Sequence, residues 1–144
     1  MKETKPMEVR PFNDISYERF LSEEKLMGSR CLKCGVLSVP PRSVCIKCYG
    51  SEMEWVEIKG KGKLAAFTCI AIGPPSMIRE GYDRKHPYVC GVVELGEGAR
   101  VVARIEGVDG SKPETIKIGA PLKIEFLHRG EGENSTTFLA FRPL

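Results

Sequence analysis

Two C-x2-C pairs, Cys31 with Cys34 and Cys45 with Cys48, constrain this chain more than any other feature. Two residues between thiols let one tight turn offer both sulfurs to a single ion, and two such turns complete a tetrahedral shell around Zn²⁺. Four thiolates leave no open position for water or substrate, so the expected metal is structural and the function must reside in other residues. The same ligands suit a single iron. The short ten-residue spacing between the pairs and the lack of redox partners in the sequence favour zinc.

A chain of 144 residues has room for one ordinary domain, or for a small domain with a metal-stapled module. Hydrophobic content of 42% and charged content of 28% describe a globular protein with a real core. No apolar run approaches the roughly 20 residues that span a bilayer, and Met1 to Arg10 lack the apolar stretch of a signal peptide, so the chain reads as cytoplasmic with no membrane partner. Thiols stay reduced in that compartment, which again turns the six cysteines toward metal and away from disulfides. A net charge of +3 is too balanced to imply nucleic acid. Arg30, Lys33, Arg42 and Lys47 nonetheless crowd the cysteine pairs. Compensation of the negative metal–thiolate cluster is the favoured explanation, ahead of a basic surface for a phosphate-bearing ligand.

Residues 1–14, with Pro6 and Pro11, read as an extended arm. Asp14 or Ser16 is a candidate N-cap, the spacing of Tyr17, Phe20 and Leu21 predicts a helix over 15–27, and Gly28 supplies a stop. Helix and metal module together fill 15–54. The first knuckle ends in Gly35, Val36–Val39 forms a short strand, and Pro40-Pro41 closes it before the second knuckle. From Trp55 the pattern changes to strand-like alternation, so 55–144 is assigned to a β domain. Its first strand, 56–72, is bent at Gly60-Lys61-Gly62; Tyr88–Leu95 and Arg100–Ile105 form a hairpin; Ile116–Ile118, Leu122–Leu127 and Ser135–Arg142 complete the set. Five strands with a long bent first strand predict a small closed barrel, most commonly an OB-fold, with a β-sandwich as the other solution. The fold class is therefore mainly β: an N-terminal helix, a rubredoxin-like zinc ribbon and a C-terminal five-stranded OB-fold barrel.

Chemistry-bearing motifs are few. His86 and His128 are the only histidines, and neither belongs to a metal-binding or nucleophile-elbow motif. Cys69 and Cys90 lie in apolar strand patterns and are expected to pack as small buried hydrophobes. The long connection 73–87, rich in charge and proline, is the segment whose length most invites a functional role.

The ordered combination of Gly28-Ser29-Arg30-Cys31, C-x2-C-G, Pro40-Pro41-Arg42, the second C-x2-C, Gly60-Lys61-Gly62, Pro87-Tyr88 and Val93-Glu94-Leu95 resembles the zinc-ribbon/OB-fold acyl-CoA-associated proteins, long catalogued as a domain of unknown function. The likeness runs over about residues 15–144 and is greatest to archaeal members that bridge acetoacetyl-CoA thiolase and HMG-CoA synthase, shared also in Phe138-Leu139-Ala140-Phe141-Arg142-Pro143. What the resemblance implies is a non-catalytic subunit of the mevalonate pathway that binds acyl-CoA, serves those two enzymes or another thiolase-like one, and aids transfer of the intermediate. Two positions depart from the family's C-P-x-C-G: Ile46 replaces the proline, and Tyr49 replaces the glycine, with Gly50 expected to absorb the left-handed turn. Coenzyme A joins a phosphate-rich nucleotide to a neutral arm, so its binder needs cations and an apolar groove. Arg30, Arg42, Arg79, Arg84 and Lys85 are candidates for the first, and Tyr17, Phe20 and Tyr88 for the second. The competing class is a single-stranded nucleic-acid module, which the modest charge and 8% aromatic content disfavour.

Overall fold

The computed structural model describes residues 10–144. Chain contacts divide it into two units: the residues up to Lys59 with Glu97–Ala99 and His128–Phe138, and Gly60–Gly96 with Arg100–Leu127 and Leu139–Leu144.

The first unit begins with helix α1, Asp14–Ser22, and a three-stranded antiparallel sheet of β1, Met27–Cys31, β2, Leu37–Ser38, and β3, Met53–Glu57, in the order β2-β1-β3. Asn13 caps the helix, its side chain accepting the Ser16 N–H at 3.0 Å, where Asp14 or Ser16 was expected. The helix stops five residues short of the expected 27. Glu24 turns left-handed at φ 62, and Met27–Cys31 then pairs residue for residue with Met53–Glu57. Five ladder pairs outweigh the local helical pattern. Gly28 is thus a strand residue, and an added Cβ there would meet Val39 Cγ2 at 2.6 Å. The expected strand at Val36–Val39 is present as β2. Trp55 and Val56, expected to open the barrel, belong to this sheet instead.

Aromatic packing holds this unit. Trp55 stacks on Phe12 at 4.6 Å and meets Phe20 edge-on at 4.9 Å, while its Nε1–H donates to the Arg10 carbonyl at 3.1 Å. The Arg10 guanidinium lies 4.2 Å over the Phe20 ring and bonds both Glu23 carboxylate oxygens. That bond holds the Glu23 carboxyl below its ordinary range. Of the expected arm, residues 10–13 join this cluster and 1–9 lie outside the described residues.

The second unit centres on a closed barrel of β4, Lys61–Ile70, β5, Tyr88–Leu95, β6, Arg100–Ile105, β8, Thr136–Pro143, and β7, Pro121–Arg129, in that order around the wall. The first strand does serve two sides: Gly62 pairs with both Leu95 and Leu122, and a register shift between Leu64 and Ala66 re-aims the rest toward β5. Gly60 makes the entry bend. It has φ 89, its carbonyl accepts the Ile124 N–H at 2.8 Å, and an added Cβ would clash with Ile124 Cγ2. Alternation along β5 turns Val89, Gly91, Val93 and Leu95 inward to join Leu64, Val101, Ile105, Leu122 and Phe141 in the core. Each such large side chain contributes about 1.5–3 kcal/mol by leaving water. The expected strand Ile116–Ile118 is absent; a 3₁₀ turn, Pro113–Thr115, precedes it, and only Ile116 is buried. Within the connection 73–87, Pro75–Arg79 forms a short helix, α2.

Phe20 is 0% exposed and contacts the only tryptophan of the chain. Phe20→Ala is therefore expected to lower unfolding free energy by about 3–5 kcal/mol in denaturant titration. A loss below about 1 kcal/mol would show that the ring cluster does not hold this unit.

Candidate metal centre and ligand-binding loop

Each knuckle is a backbone turn that aims two sulfurs at one point. In the first, the Gly35 N–H donates to the Cys31 carbonyl at 2.9 Å; in the second, the Tyr49 N–H donates to the Cys45 carbonyl at 3.1 Å. Both turns close on a left-handed residue, Gly35 at φ 83 and Tyr49 at φ 62. Tyr49 therefore takes the strained conformation itself, and the expected relief by Gly50 does not occur. Gly50 serves another end: an added Cβ would stand 3.3 Å from Cys48 Sγ and 3.2 Å from Lys33 Cδ. Ser29, fully buried on β1, accepts the Arg42 N–H at 2.8 Å and donates to the Arg42 carbonyl at 3.2 Å, tying the segment between the knuckles to the sheet.

The sulfurs of Cys31, Cys34, Cys45 and Cys48 all lie within 4.8 Å of one another, with Cys31–Cys48 at 3.5 Å and Cys34–Cys45 at 3.4 Å. A tetrahedral ion with Zn–S bonds of about 2.3 Å places its sulfurs about 3.8 Å apart, so the cluster fits zinc with small adjustments. Backbone N–H groups prepare the ligands. Those of Cys48 and Lys47 pull the Cys45 thiol down to about 6. The N–H groups of Cys34 and Lys33 lower Cys31 despite its desolvation. Cys34 is the reverse case: the Val36 N–H favours its thiolate, yet the Cys45 sulfur, desolvation and the other two sulfurs together push it up to about 11. Four sulfurs this close ionise together only around a cation. All four are spent on that shell, so the ion would supply structure and no reactive position.

The other candidate residues divide between the two units. Arg30 donates to the Gly35 carbonyl at 3.1 Å, and Arg42 is exposed between the knuckles. Tyr17 is half-buried, its hydroxyl pushed up to about 12 by burial and the neighbouring Glu18 charge. Phe20 is enclosed by its ring partners, which corrects its assignment to a ligand groove. In the barrel unit, Arg84 lines an open cavity of about 210 Å³ with Ala71, Ile72, Gly73, Ile78 and Asp83. Arg79 and Lys85 are exposed on the same connection; Tyr88, half-buried, meets Tyr82 edge-on at 5.7 Å. Cys69 and Cys90 are half-buried, not enclosed as expected, because strand alternation leaves each partly accessible.

Sequence reading missed the fastening of this connection. Arg104 on β6 donates to Glu80 at 2.9 Å and to Glu106 at 3.2 Å, and lies 5.7 Å from the Tyr82 ring centroid. Burial works against the Arg104 charge, but Glu80 and Glu106 overcome it and raise its pKa. The partners are 24 residues apart, and only the outward position of Arg104 in a strand hinted at a role. Both histidines are engaged: His86 with Asp83 at 3.3 Å, and His128 with Thr137 at 2.9 Å and Glu24 at 2.8 Å.

Ribbon and barrel are each matched by a family model, the ChsH2 rubredoxin-like zinc ribbon domain over residues 20–54 and the ChsH2 C-terminal OB-fold domain over residues 55–127. The chain belongs to the ChsH2 family. A DUF35 domain-containing scaffold protein of Methanocaldococcus jannaschii is 35% identical over 83% of this chain and 77% of its own length. The benzoylsuccinyl-CoA thiolase subunit BbsA of Thauera aromatica is 41% identical over 60% of this chain and 55% of its own. Among solved structures, a chain of the Ltp2-ChsH2(DUF35) aldolase superposes with a TM-score of 0.71 at 28% identity, over 93% of this chain and 98% of that one. Among the described residues, no helix of this ChsH2-family chain is long and apolar enough to cross a membrane.

Elemental analysis of the purified protein is expected to find one zinc per chain, retained in Cys69→Ser and lost in Cys34→Ser. Iron in its place, or zinc retained by Cys34→Ser, would contradict the assignment.

Proposed function

We propose that this chain is a non-catalytic, acyl-CoA-binding scaffold subunit of a thiolase-superfamily complex. The kinship that carries the reading is the 35% identity, over most of both chains, to a scaffold protein of Methanocaldococcus jannaschii. A thiolase subunit and an aldolase component among its relatives point to the same setting of carbon–carbon bond chemistry on thioesters. The metal shell adds support, since four cysteines committed to one closed site leave it without a reactive position.

The enzymes served are acetoacetyl-CoA thiolase and HMG-CoA synthase, with transfer of the acetoacetyl-CoA intermediate in the cytoplasmic mevalonate pathway as the role. Arg79, Arg84 and Lys85 stand on one charged connection beside the cavity that Ile72 and Ile78 line, and would receive the CoA phosphates while the pantetheine arm follows the apolar wall. Tyr88, half-buried in the same unit, would be a further contact for the arm. A cavity of about 210 Å³ is smaller than a site that encloses a whole cofactor, so the enzyme partner would complete it.

The purified chain mixed with both enzymes of its own organism is expected to elute as one ternary complex in size-exclusion chromatography with light scattering. Removal of zinc is expected to abolish that complex while near-native barrel circular dichroism persists. Separate elution of the zinc-loaded chain and both enzymes would refute the assignment of these enzymes as partners.

A further inference from the structure

Large apolar side chains stand exposed on both knuckles. Leu32 is 57% exposed, Val44 49%, Ile46 58% and Tyr49 78%. Each adjoins a cysteine in the chain, about 3.8 Å from it between Cα atoms, and the four sulfurs lie within 4.8 Å of one another. They are thus gathered around one centre. Exposed apolar residues scattered singly need no explanation, whereas four on two short turns about one centre, set among polar side chains, mark a candidate interaction surface.

The rim is mainly basic, with the exposed Glu52 at its edge, where its carbonyl accepts the Leu32 N–H at 2.9 Å. Between Ser29 and Ser51 the chain holds Arg30, Lys33, Arg42 and Lys47 and no acidic residue. Lys33, Arg42 and Lys47 are exposed, and among the described residues none forms an ion pair. Tyr49 adds an independent sign of selection for contact. It occupies a left-handed conformation where glycine would sit unstrained, and its side chain projects into solvent. The backbone bonds within the knuckles hold the main chain of both turns in advance, which lowers the ordering cost of an encounter.

We propose that the knuckle tips are a docking surface for a protein partner that presents an apolar pocket bordered by carboxylates. Protein is favoured over nucleic acid because three of the four apolar groups are aliphatic and lack the ring face on which bases stack. The proposal rests on the scaffold reading above, for which it names the docking face and the partner's surface chemistry.

Two experiments on the full zinc-loaded chain test it. The first is calorimetric titration against acetoacetyl-CoA thiolase and HMG-CoA synthase at low and high salt, with the double variant Leu32→Ser/Ile46→Ser, the charge-reversed Lys33→Glu/Arg42→Glu/Lys47→Glu, and Ile118→Ser as an exposed barrel-unit control. Zinc content and circular dichroism establish that each variant is folded. Both tip variants are expected to bind about 30-fold more weakly, the charge-reversed one with its salt dependence inverted, and the control within about twofold. Folded tip variants that bind as the unaltered chain does would overturn the proposal. The second replaces Ile46, or Ile118 as control, with a photoreactive phenylalanine analogue in cells of the source organism. A cross-link specific to position 46, mapping to an acidic and apolar protein segment and lost on charge reversal, sustains the docking surface even where neither enzyme binds; in that event the named enzymes alone are wrong. Absence of a protein cross-link at position 46, or a cross-link to nucleic acid, overturns it.

Discussion

Mutual repulsion among four sulfurs held within 4.8 Å is the constraint on which the ribbon depends. Left to themselves these thiols do not all ionise: Cys45 gives up its proton readily, while Cys34 is driven the other way by its neighbours. A divalent cation turns that conflict into the strongest set of bonds in the unit. Everything around it serves the approach of the two turns, including the bare α-carbon of Gly50 against Cys48 and the buried Ser29 hydroxyl that ties down Arg42. The left-handed Tyr49 belongs to the same geometry, at a cost of about 1–2 kcal/mol relative to glycine.

The barrel meets a different requirement. A five-stranded wall closes because β4 pairs on both edges near Gly62 and then shifts register, so one strand spans the seam. Its long connection, 73–87, buries Met77 alone and is otherwise organised by polar and ring contacts. The Arg104 guanidinium holds Glu80, the edge-on pair of Tyr82 and Tyr88 supports the chain end, and Asp83 accepts the Lys85 and His86 N–H groups. The cations left facing outward on this segment, Arg79, Arg84 and Lys85, are therefore presented by a fastened loop.

Local features were legible in the sequence. The two C-x2-C pairs name all four clustered sulfurs, and strict alternation delimits β5 and β6 to the residue. Misreadings arose where distant pairing overrode local pattern. The expected helix ran on to Met27, but Met27–Cys31 is drawn into a strand by Met53–Glu57, and Trp55, apolar and strand-like, gave no sign of which sheet would claim it. Phe20 looked like a ligand-facing ring on a short amphipathic helix because its partners Trp55 and Arg10 lie 35 and 10 residues away. Isolated Ile116–Ile118 had the composition of a strand but no neighbour to pair with. Tyr49 was flagged correctly as an obstacle, but the chain accepts the strain there and does not shift it to Gly50.

X-ray absorption at the zinc edge of the purified protein tests the central claim most directly, because it reads the ligands of the ion. Four sulfur scatterers at about 2.3 Å with no nitrogen or oxygen neighbour are the predicted result. A shell with fewer sulfurs, completed by water, histidine or carboxylate, would contradict the closed structural centre and would reopen the ribbon as a place where chemistry occurs.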